Sequence, residues 1–450
     1  MQKQDIVGVN YMELYDYQKV DIEKVKDLKA VLNANKMGYG KTVEAIMLMQ
    51  MWQCKRVLVV CPKAVLEQWA SEIKKWTGRD SVICPKIVTY KAQIVIINYD
   101  KLANGTSKFN SFTPGKFLQQ FLAFSWDLVI CDEVHRIKNR EAKTSRALEK
   151  IPAQRKIGMS GTPILNKPND LFSILHWLDT GYPQGNYWAF VNKFCKVERG
   201  PFGNTIVGLT ENKDRQEELV HLLEPFTIRN PDLVIGKGKR ITYIPLSMEG
   251  KQKKLYENIK RIIVDALPDN CSVLNGMSQI IRLMQTTSNP KLFDIDNNVK
   301  FDWIVEMCND NPETKFVIYS HFAETVKALA FILGNASVPY IGEMDGKQRT
   351  AALRCFIDGP VQVLVGTIGA MGQGIDGLQA VCCTEIFIDR DWSPALNEQA
   401  EDRLNRIGQK NLVDVYVLEC IGTVDKYVGK VNLKKIEDIR RVLDENIANG

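Results

Sequence analysis

Residues 35–42 read NKMGYGKT and have the composition of a loop that binds phosphate. An apolar run precedes them and a helical pattern follows, so the loop joins a strand to a helix N-terminus. Backbone N–H groups and the helix dipole attract an anion at such a junction. The two glycines let the backbone come close to a ligand. Lys41 would then reach the β- and γ-phosphates of a nucleotide, and the Thr42 hydroxyl would hold Mg²⁺.

The loop alone is an imperfect match, since it has Asn35 where the general pattern has glycine. A pair of carboxylates further along the chain supports the interpretation independently. Asp132 and Glu133 follow the apolar residues 128–131, which predict a buried strand. Nucleotide hydrolysis needs one carboxylate to hold Mg²⁺, here Asp132, and one to polarise the attacking water, here Glu133. An acidic strand end without chemistry is the alternative, and the preceding loop favours hydrolysis.

Two further groups leave alternatives open. Gln18 carries both a donor and an acceptor, the pair that reads the Hoogsteen edge of adenine, but it could also be a solvated residue at a helix start. Ser160, Gly161 and Thr162 follow another apolar segment. These small residues could relay the state of the γ-phosphate to a neighbouring domain, or they could form a simple turn.

The second half of the chain contributes arginines instead of a second phosphate loop. Gln399, Arg403 and Arg406 are spaced by four and three residues, which predicts that they share one helix face. Two such arginines suit the stabilisation of charge on the γ-phosphoryl group, as arginine fingers do. A solvated basic helix is the alternative. The glycine-rich residues 366–377 could approach either the nucleotide or a phosphate backbone.

Composition sets the broad class. A chain of 450 residues with 45% hydrophobic and 25% charged residues predicts a globular protein of two or three domains. No apolar run is long enough to cross a bilayer, so we expect no membrane partner. The N-terminus lacks the layout of a secretory signal. We therefore expect a cytoplasmic location, in a bacterium or a virus-infected cell, while a nuclear location stays open.

Charge and cysteine usage are compatible with an intracellular protein that binds nucleic acid. The net charge of +6 is a mild excess, which permits such a partner without arguing for it. The eleven cysteines form no CxxC pair and many lie in apolar runs, so buried free thiols are expected. With four scattered histidines, a zinc site is not expected.

Alternation of strands and helices in both halves predicts an α/β fold with two parallel sheets. We place a first domain at residues 1–228, with a helical insertion at about 169–226 that has its own small core. A second domain follows at 229–450, with a helical insertion at about 249–290 and a C-terminal amphipathic brace helix. Residues 230–246 are interpreted as a linker because they combine proline, glycines and basic residues.

Taken together, these motifs resemble helicase superfamily two, and more narrowly its Swi/Snf-type branch of ATP-driven DNA translocases. The resemblance covers most of the chain and rests on the following stretches: YQ, MGYGKT, CPKAVLEQW, DEVHRIKN, SGTPILN, VIYSHF, GQGID and DWSPALNEQAEDRLNRIGQ. It implies two RecA-like lobes with ATP in the cleft between them. It also identifies the two helical insertions with protrusions that are specific to the family.

The resemblance assigns roles to individual residues. It implies ATP contacts from Gln18, Met37, Gly38, Tyr39, Gly40, Lys41, Thr42, Gly374 and Asp376, with Mg²⁺ at Thr42 and Asp132. It implies catalytic roles for Lys41, Asp132, Glu133, Gln399, Arg403 and Arg406, the two arginines being the fingers. It implies a DNA track lined by Lys63, Trp69, Lys138, Asn139, Thr367 and Trp392.

The chain also departs from the family pattern. Asn35-Lys36 replaces the usual Asp-Glu, Asp376 stands where asparagine is common, and GAMGQG replaces the usual GGxG run. No catalytic group is lost, so these changes bear on coupling and substrate preference. We expect a monomeric motor on double-stranded DNA, with single-stranded DNA and a protein partner left open. The competing interpretations are a strand-separating helicase and the motor subunit of a larger restriction or repair complex.

Overall fold

Two parallel β-sheets, one in each half of the chain, form the framework of the structure. The computed structural model describes residues 14–87, 93–103, 105–108, 111–163, 168–179, 186–200, 203–231, 233, 237–265, 273–372, 375 and 377–429. The chain divides after Leu233 into two compact units. Both sheets are parallel throughout and carry helices between their strands, which confirms the predicted α/β class.

The sheet of the first unit has seven strands in the order β11-β1-β8-β7-β2-β4-β3. The strands of this unit are β1 Ala30–Asn33, β2 Val57–Cys61, β3 Val82–Ile83, β4 Ile94–Asn98, β5 Gly105–Lys108, β6 Ser111–Pro114, β7 Trp126–Asp132, β8 Ala153–Met159, β9 Cys195–Gly200, β10 Gly203–Leu209 and β11 Thr227–Ile228. The helices are α1 Asp16–Val25, α2 Lys41–Met51, α3 Leu66–Thr77, α4 Tyr99–Leu102, α5 Lys116–Leu122, α6 Lys143–Glu149, α7 Asp170–Leu178, α8 Tyr187–Phe194 and α9 Lys213–Leu223.

Burial explains why the central strands of this sheet are so uniformly apolar. Every residue of β2 and of β4 is buried, because helices cover both faces of a parallel sheet. Separate hydrophobic clusters lie on the two faces, one around Trp126 and one around Trp69. The carboxyl ends of β1, β7 and β8 then lie along one edge, where an open α/β sheet places its ligand contacts.

The region in which the sequence predicts a helical insertion, at about 169–226, contains helices with a separate apolar cluster. It consists of α7, α8 and α9 together with the antiparallel hairpin of β9 and β10. Its core residues are Leu171, Phe172, Leu175, Phe190, Phe194, Leu209, Leu219 and Leu223. These side chains form a cluster of their own, whereas Trp177 and Leu178 of α7 pack into the cluster on one face of the main sheet.

The second unit contains a six-stranded parallel sheet in the order β12-β17-β16-β13-β15-β14. Its strands are β12 Lys239–Leu246, β13 Phe316–Ser320, β14 Ser337–Tyr340, β15 Val363–Thr367, β16 Thr384–Phe387 and β17 Val413–Cys420. Its helices are α10 Gly250–Asp265, α11 Val273–Ser288, α12 Val299–Asp310, α13 Ala323–Leu333, α14 Gly346–Ile357, α15 Ile368–Met371 and α16 Pro394–Glu401. The helices α10 and α11 lie within residues 249–290, where the sequence predicts a helical insertion.

Two segments differ from the sequence interpretation. Residues 239–246, assigned to the linker, form the edge strand β12, which pairs with β17 along its whole length. Its side chains are exposed or only partly buried, so the sequence lacks the apolar run of a central strand. Pro245 is tolerated because the outer side of an edge strand needs no hydrogen-bond donor. Residues 105–108 and 111–114, for which the sequence predicts no helix or strand, form the short antiparallel pair β5 and β6. The predicted brace helix lies outside the described residues.

A buried lysine ties several elements of the second unit together. Lys300, on α12, is fully buried and donates from Nζ to the Ile388 carbonyl at 2.6 Å and to Asp425 Oδ2 at 2.8 Å. The Asp425 carboxylate also accepts from Thr287 Oγ1 at 2.8 Å and from Cys420 N at 2.9 Å. Burial by itself would lower the pKa of Lys300, but the neighbouring acidic groups, of which Asp425 acts most strongly, together keep that pKa above its ordinary value.

Removing this ammonium group should destabilise the second unit. We expect Lys300→Met to lower the free energy of unfolding by about 3–5 kcal/mol, because Asp425 would remain buried without its counter-charge. Urea titration followed by hydrogen exchange of second-unit peptides measures the change. Lys291→Met is the matched control, since Lys291 pairs with Asp296 at the surface and should contribute about 1 kcal/mol or less. Equal stability of the two variants would contradict the role given to Lys300.

No helix within the described ranges is both long enough and apolar enough to cross a membrane.

Candidate active site

The phosphate loop leads from β1 into α2, as its sequence predicts. Gly38 and Gly40 adopt the left-handed conformation with φ of 78° and 72°, and α2 begins immediately after Gly40. A Cβ added at Gly40 would lie 2.4 Å from Gln18 Nε2, so both the backbone angle and the close neighbour require glycine there. The loop therefore presents the N-terminal turn of α2, with Lys41 and Thr42 as its first residues.

Side chains from the loop and its surroundings hold the loop in place. Lys41 donates from Nζ to the carbonyls of Asn35 at 2.9 Å and Lys36 at 3.0 Å. The carbonyl of Tyr39 accepts from the Tyr17 hydroxyl at 2.8 Å. A Cβ added at Gly161 would lie 3.2 Å from the backbone nitrogen of Met37. Gly161 thus permits close packing of the neighbouring strand end against the phosphate loop.

Gln18 is buried on α1 directly beside the loop. Its Nε2 lies 3.5 Å from the Gly40 carbonyl, and its Oε1 accepts from the backbone nitrogen of Tyr15 at 3.1 Å. The solvated alternative is therefore wrong, because the amide is buried and bonded at both ends. The contact with adenine stays a prediction.

A buried polar cluster lies behind the loop, where the family pattern would place a third carboxylate. Asn35 donates from Nδ2 to Asp21 Oδ2 at 2.8 Å and lies 3.4 Å from Glu44 Oε1. Asn33 also donates to Glu44. Burial, and then the charge of Asp21, raise the pKa of Glu44 above its ordinary value. An amide at position 35 can serve both carboxyl groups, whereas an aspartate there would repel them.

The two predicted acidic residues lie together at the carboxyl end of β7. Asp132 Oδ1 accepts from the backbone nitrogen of Glu133 at 3.0 Å, and Asp132 Oδ2 accepts from Trp69 Nε1 at 2.9 Å. Burial, and then the charge of Glu133, raise the pKa of Asp132 to about 6. Glu133 has a φ of 54°, a conformation that few non-glycine residues adopt. Such local strain is common where a catalytic side chain is positioned.

Two neighbours hold the Glu133 side chain. His135 Nδ1 lies 3.3 Å from Glu133 Oε2, and the Ser160 hydroxyl lies 3.5 Å from the same oxygen. His135 and Ser160 contact each other at 2.9 Å. Ser160 therefore links the end of β8 to the carboxylate, which is more than a simple turn would provide. His135 was not singled out in the sequence, although its place two residues after Glu133 was a usable signal.

Trp69 requires a correction. It was assigned to the DNA track, but only 2% of its surface is exposed, and its indole donates to Asp132 from inside the core. The apolar face of α3 that contains Trp69 packs against the sheet, so no surface remains for a DNA backbone. We conclude that Trp69 positions the carboxylate of Asp132.

The effect of this hydrogen bond can be measured by replacing the indole with a ring that lacks the donor. We expect Trp69→Phe to weaken Mg²⁺-dependent nucleotide binding by roughly 10- to 100-fold, as loss of partners that orient metal ligands generally does. A fluorescent ATP analogue titrated at several Mg²⁺ concentrations provides the measurement. Trp76→Phe is the matched control, because Trp76 on the same helix donates to Glu72 away from the site. Equal behaviour of the two variants would contradict the assignment.

The other residues assigned to the DNA track have mixed positions. Lys63 and Asn139 are exposed near strand ends of the first unit. Lys138, which precedes Asn139 in the sequence, is partly buried. In the second unit Thr367 is half-buried at the end of β15. Trp392 is half-buried and belongs to a small apolar cluster with Tyr256, Met284, Val424 and Val428, and its ring lies 6.2 Å from that of Tyr427. Direct DNA contact stays a prediction for these five residues.

The two arginines of the second unit converge, but not through a shared helix face. Helix α16 ends at Glu401, and a tight turn follows in which Arg403 N donates to the Ala400 carbonyl. Arg403 and Arg406 each donate from Nη1 to the carbonyl of Ile375 at 3.1 Å, and Arg403 also donates to the Gly372 carbonyl at 2.6 Å. Arg403 and Arg406 lie beyond α16, so the predicted shared helix face is wrong, although both side chains donate to one carbonyl. Their role as arginine fingers stays a prediction.

Contacts from other elements explain why the helix stops. The Tyr319 hydroxyl donates to the Ala400 carbonyl at 3.0 Å. Lys239 pairs with Glu401 at 2.7 Å and with Asp402 at 3.1 Å. These partners fix the last turn from outside the helix, and none of them is near it in sequence.

Gln399 lies on α16 and is buried, with its amide hydrogen-bonded to no described residue. Gly374 and Asp376 lie outside the described residues. Their predicted contacts with the nucleotide stay predictions.

Comparison with known proteins agrees with the motif assignment. The family model described as the SNF2-related domain matches residues 22–292, and the helicase conserved C-terminal domain matches residues 299–408. The chain is 24% identical to the DNA repair and recombination protein RAD54 of Oryza sativa subsp. japonica, over 93% of this chain and 49% of that protein. It is 25% identical to the probable ATP-dependent DNA helicase CHR23 of Arabidopsis thaliana, over 92% of this chain and 41% of that protein.

The chain spans about half the length of most of the curated relatives it matches. Among solved structures, it is similar to the SWI2/SNF2 ATPase core of Sulfolobus solfataricus in complex with dsDNA. That similarity has 22% identity and a TM-score of 0.45, and it covers 99% of both chains.

Proposed function

Because the chain belongs to the SNF2-related family of helicase superfamily two, we propose that it is an ATP-driven motor that moves along double-stranded DNA. Membership of this family implies nucleotide-dependent activity. One observation supports the proposal most strongly: the loop at 35–42 follows β1 and the Asp132–Glu133 pair follows β7, two parallel strands that flank β8 in one sheet. A chain that only bound DNA would have no use for Glu133 held in a strained conformation beside His135 and Ser160.

The residues of the first unit fit magnesium-bound ATP. Mg²⁺ prefers hard oxygen ligands and keeps few protein ligands when it is bound to phosphates. The Thr42 hydroxyl and the Asp132 carboxylate would supply such oxygens, and Trp69 holds the carboxylate in one orientation. When bound, Mg²⁺ neutralises charge on the phosphates. Lys41 would contribute its ammonium group to the same phosphates.

Chemistry on the protein side then rests on Glu133 and the two arginines. Glu133 would orient and polarise the attacking water as a general base, with His135 and Ser160 fixing the position of its Oε2. Arg403 and Arg406 would supply positive charge as arginine fingers when charge builds on the transferred phosphoryl group. The carbonyl of Ile375, to which both donate, keeps the two guanidinium groups together.

Contacts with DNA are proposed to reach its phosphates. Lys63, Lys138, Asn139 and Thr367 carry donors that suit a phosphate backbone, and such contacts hold the duplex without reading its sequence. Binding of this kind weakens steeply with salt, because phosphate neutralisation releases counterions. Successive cycles of nucleotide binding and hydrolysis would move the protein along the duplex.

The direct test is ATP hydrolysis by the purified protein without nucleic acid, and with single-stranded DNA, blunt duplex DNA or duplex RNA. Strong stimulation by blunt duplex DNA supports the proposal. Stimulation by single strands or RNA would instead place the protein among strand-separating helicases. Absence of hydrolysis under every condition would contradict an autonomous motor, and activity restored by an added subunit would identify it as part of a larger complex.

A further inference from the structure

A short segment at the end of the first unit is hydrogen-bonded to the phosphate loop at several points. β11 pairs with β1 in parallel, with Leu32 opposite Thr227 and Asn33 opposite Ile228. Beyond this pairing, hydrogen bonds join residues 229–231 and 233 to the loop and to Ala34 directly before it. We call these four residues the exit segment, because they are the last described residues of the first unit before the chain enters the second.

The first hydrogen bonds, which we call ties, are donated by residues of the exit segment. Arg229 donates from Nη1 to the carbonyls of Ala34 at 2.6 Å and Gly161 at 3.1 Å. Asn230 donates from its backbone nitrogen to Asn35 Oδ1 at 2.9 Å, and from Nδ2 to Asp21 Oδ2 at 2.7 Å. The exit segment is therefore bonded both to the loop and to the buried polar cluster behind it.

The remaining ties come from the loop itself. Lys36 donates from Nζ to the Pro231 carbonyl at 2.8 Å, and the Tyr39 hydroxyl donates to the Leu233 carbonyl. Lys36 and Tyr39 belong to the loop that we propose binds phosphate, and Lys41 donates to the Lys36 carbonyl at 3.0 Å. A change in the position of Lys41 would thus act on a residue that is bonded directly to the exit segment.

Asn35 and Lys36 are the two positions at which the loop departs from the Asp-Glu of the family pattern, and both make ties. Glutamate at position 36 has no proton to donate to the Pro231 carbonyl. Aspartate at position 35 could accept from Asn230 but would add a third carboxyl group beside Asp21 and Glu44. Lys36 therefore supplies the exit segment with a donor that the usual glutamate lacks. Asn35 accepts from Asn230, and its Nδ2 donates instead to Asp21 in the cluster behind the loop.

From these contacts we propose that Asn35 and Lys36 are positioning residues that couple the phosphate loop to the chain leading into the second unit. The exit segment shifts with the loop when nucleotide binds, and this shift carries the state of the nucleotide site along the chain. The proposal rests on the proposed function only in that the nucleotide is taken to be ATP and the output to be movement along DNA.

Hydrogen exchange of the full chain tests the coupling without relying on catalysis. In the natural protein, magnesium with a non-hydrolysable ATP analogue should change the exchange of peptides covering the loop and of peptides covering the exit segment. In Lys36→Glu the response of the loop peptide should persist, while the response of the exit-segment peptide should fall by at least half. Asn230→Ala, which removes ties from the other side, should behave in the same way.

Lys24→Met is the matched control. Lys24, on α1, donates to the Thr227 carbonyl at 2.9 Å. This variant therefore also removes a hydrogen bond from a lysine to a carbonyl near the exit segment, but its lysine lies outside the phosphate loop. It should leave the nucleotide response of the exit segment unchanged. Equal losses in Lys36→Glu and Lys24→Met would reduce the ties to ordinary packing and overturn the proposal. The proposal would also be overturned if nucleotide did not change the hydrogen exchange of the exit segment in the natural protein.

A second readout is the number of base pairs travelled for each ATP hydrolysed, measured by displacement of a triplex-forming strand. Lys36→Glu should lower this ratio at least threefold, and an unchanged ratio would also overturn the proposal. If the natural protein shows no DNA-stimulated hydrolysis, the proposed function fails in that control while the exchange experiment still decides the coupling.

Discussion

Glu133→Gln should leave nucleotide binding intact and lower the turnover of ATP by roughly 10²- to 10⁴-fold, the contribution that a general base typically makes. The amide occupies the same volume and can still accept from Ser160 and His135, so the local structure should persist. It cannot take a proton from the attacking water, which is the property that the reaction needs. The measurement is single-turnover hydrolysis, with the affinity for a fluorescent ATP analogue determined in parallel.

A chemically identical change nearby provides the control for this experiment. Glu141 lies in the same connection after β7, at the surface beside Arg140. Glu141→Gln should therefore retain the turnover of the natural protein. If Glu133→Gln retained turnover to within tenfold, the water-activating role would belong to another residue.

Arg406→Ala should cut the DNA-stimulated rate by roughly 10³- to 10⁵-fold, the range found for arginine fingers. Arg406 is the better of the two arginines for this test. Arg403 is only 6% exposed and donates to two carbonyls, so its removal would also disturb the chain at Gly372. Arg406 is half-buried, and the structure gives it one carbonyl in common with Arg403. Its loss should therefore affect the reaction more than the fold.

Two companion variants separate charge from structure. Arg406→Lys keeps the charge but not the planar fork of donors, and should recover only part of the rate. Arg354→Ala removes an exposed arginine from α14 and should leave the rate unchanged. A loss of less than threefold in Arg406→Ala would refute its assignment as a finger.

Local sequence was sufficient for the parts of the site that depend on local geometry. A loop between a strand and a helix, and a carboxylate pair after a buried strand, are built from neighbouring residues, and their chemistry can be recognised in NKMGYGKT and CDE. The same holds for the continuously apolar strands β2 and β4. These features gave the α/β class and the identity of Lys41, Asp132 and Glu133.

The features that the sequence did not reveal all depend on distant partners. Trp69 has the spacing of a core residue, and nothing near it in sequence shows that its indole meets Asp132. Helix α16 ends at Glu401 because Tyr319 and Lys239 bind its last turn, although the helical pattern itself continues. The ties of Lys36 to Pro231 and of Asn230 to Asn35 likewise join residues that lie far apart in the sequence.

The order of strands has a consequence for synthesis on the ribosome. In each unit the first strand of the sheet pairs with the last: β1 with β11, and β12 with β17. The first unit can therefore complete its sheet while the second is still being made, as domains that emerge first generally do. The second sheet must wait until Val413–Cys420 has left the exit tunnel. Until then β12 has no neighbour and β16 has an open edge, so a chain that stalls before residue 413 would expose an unpaired strand to other nascent chains.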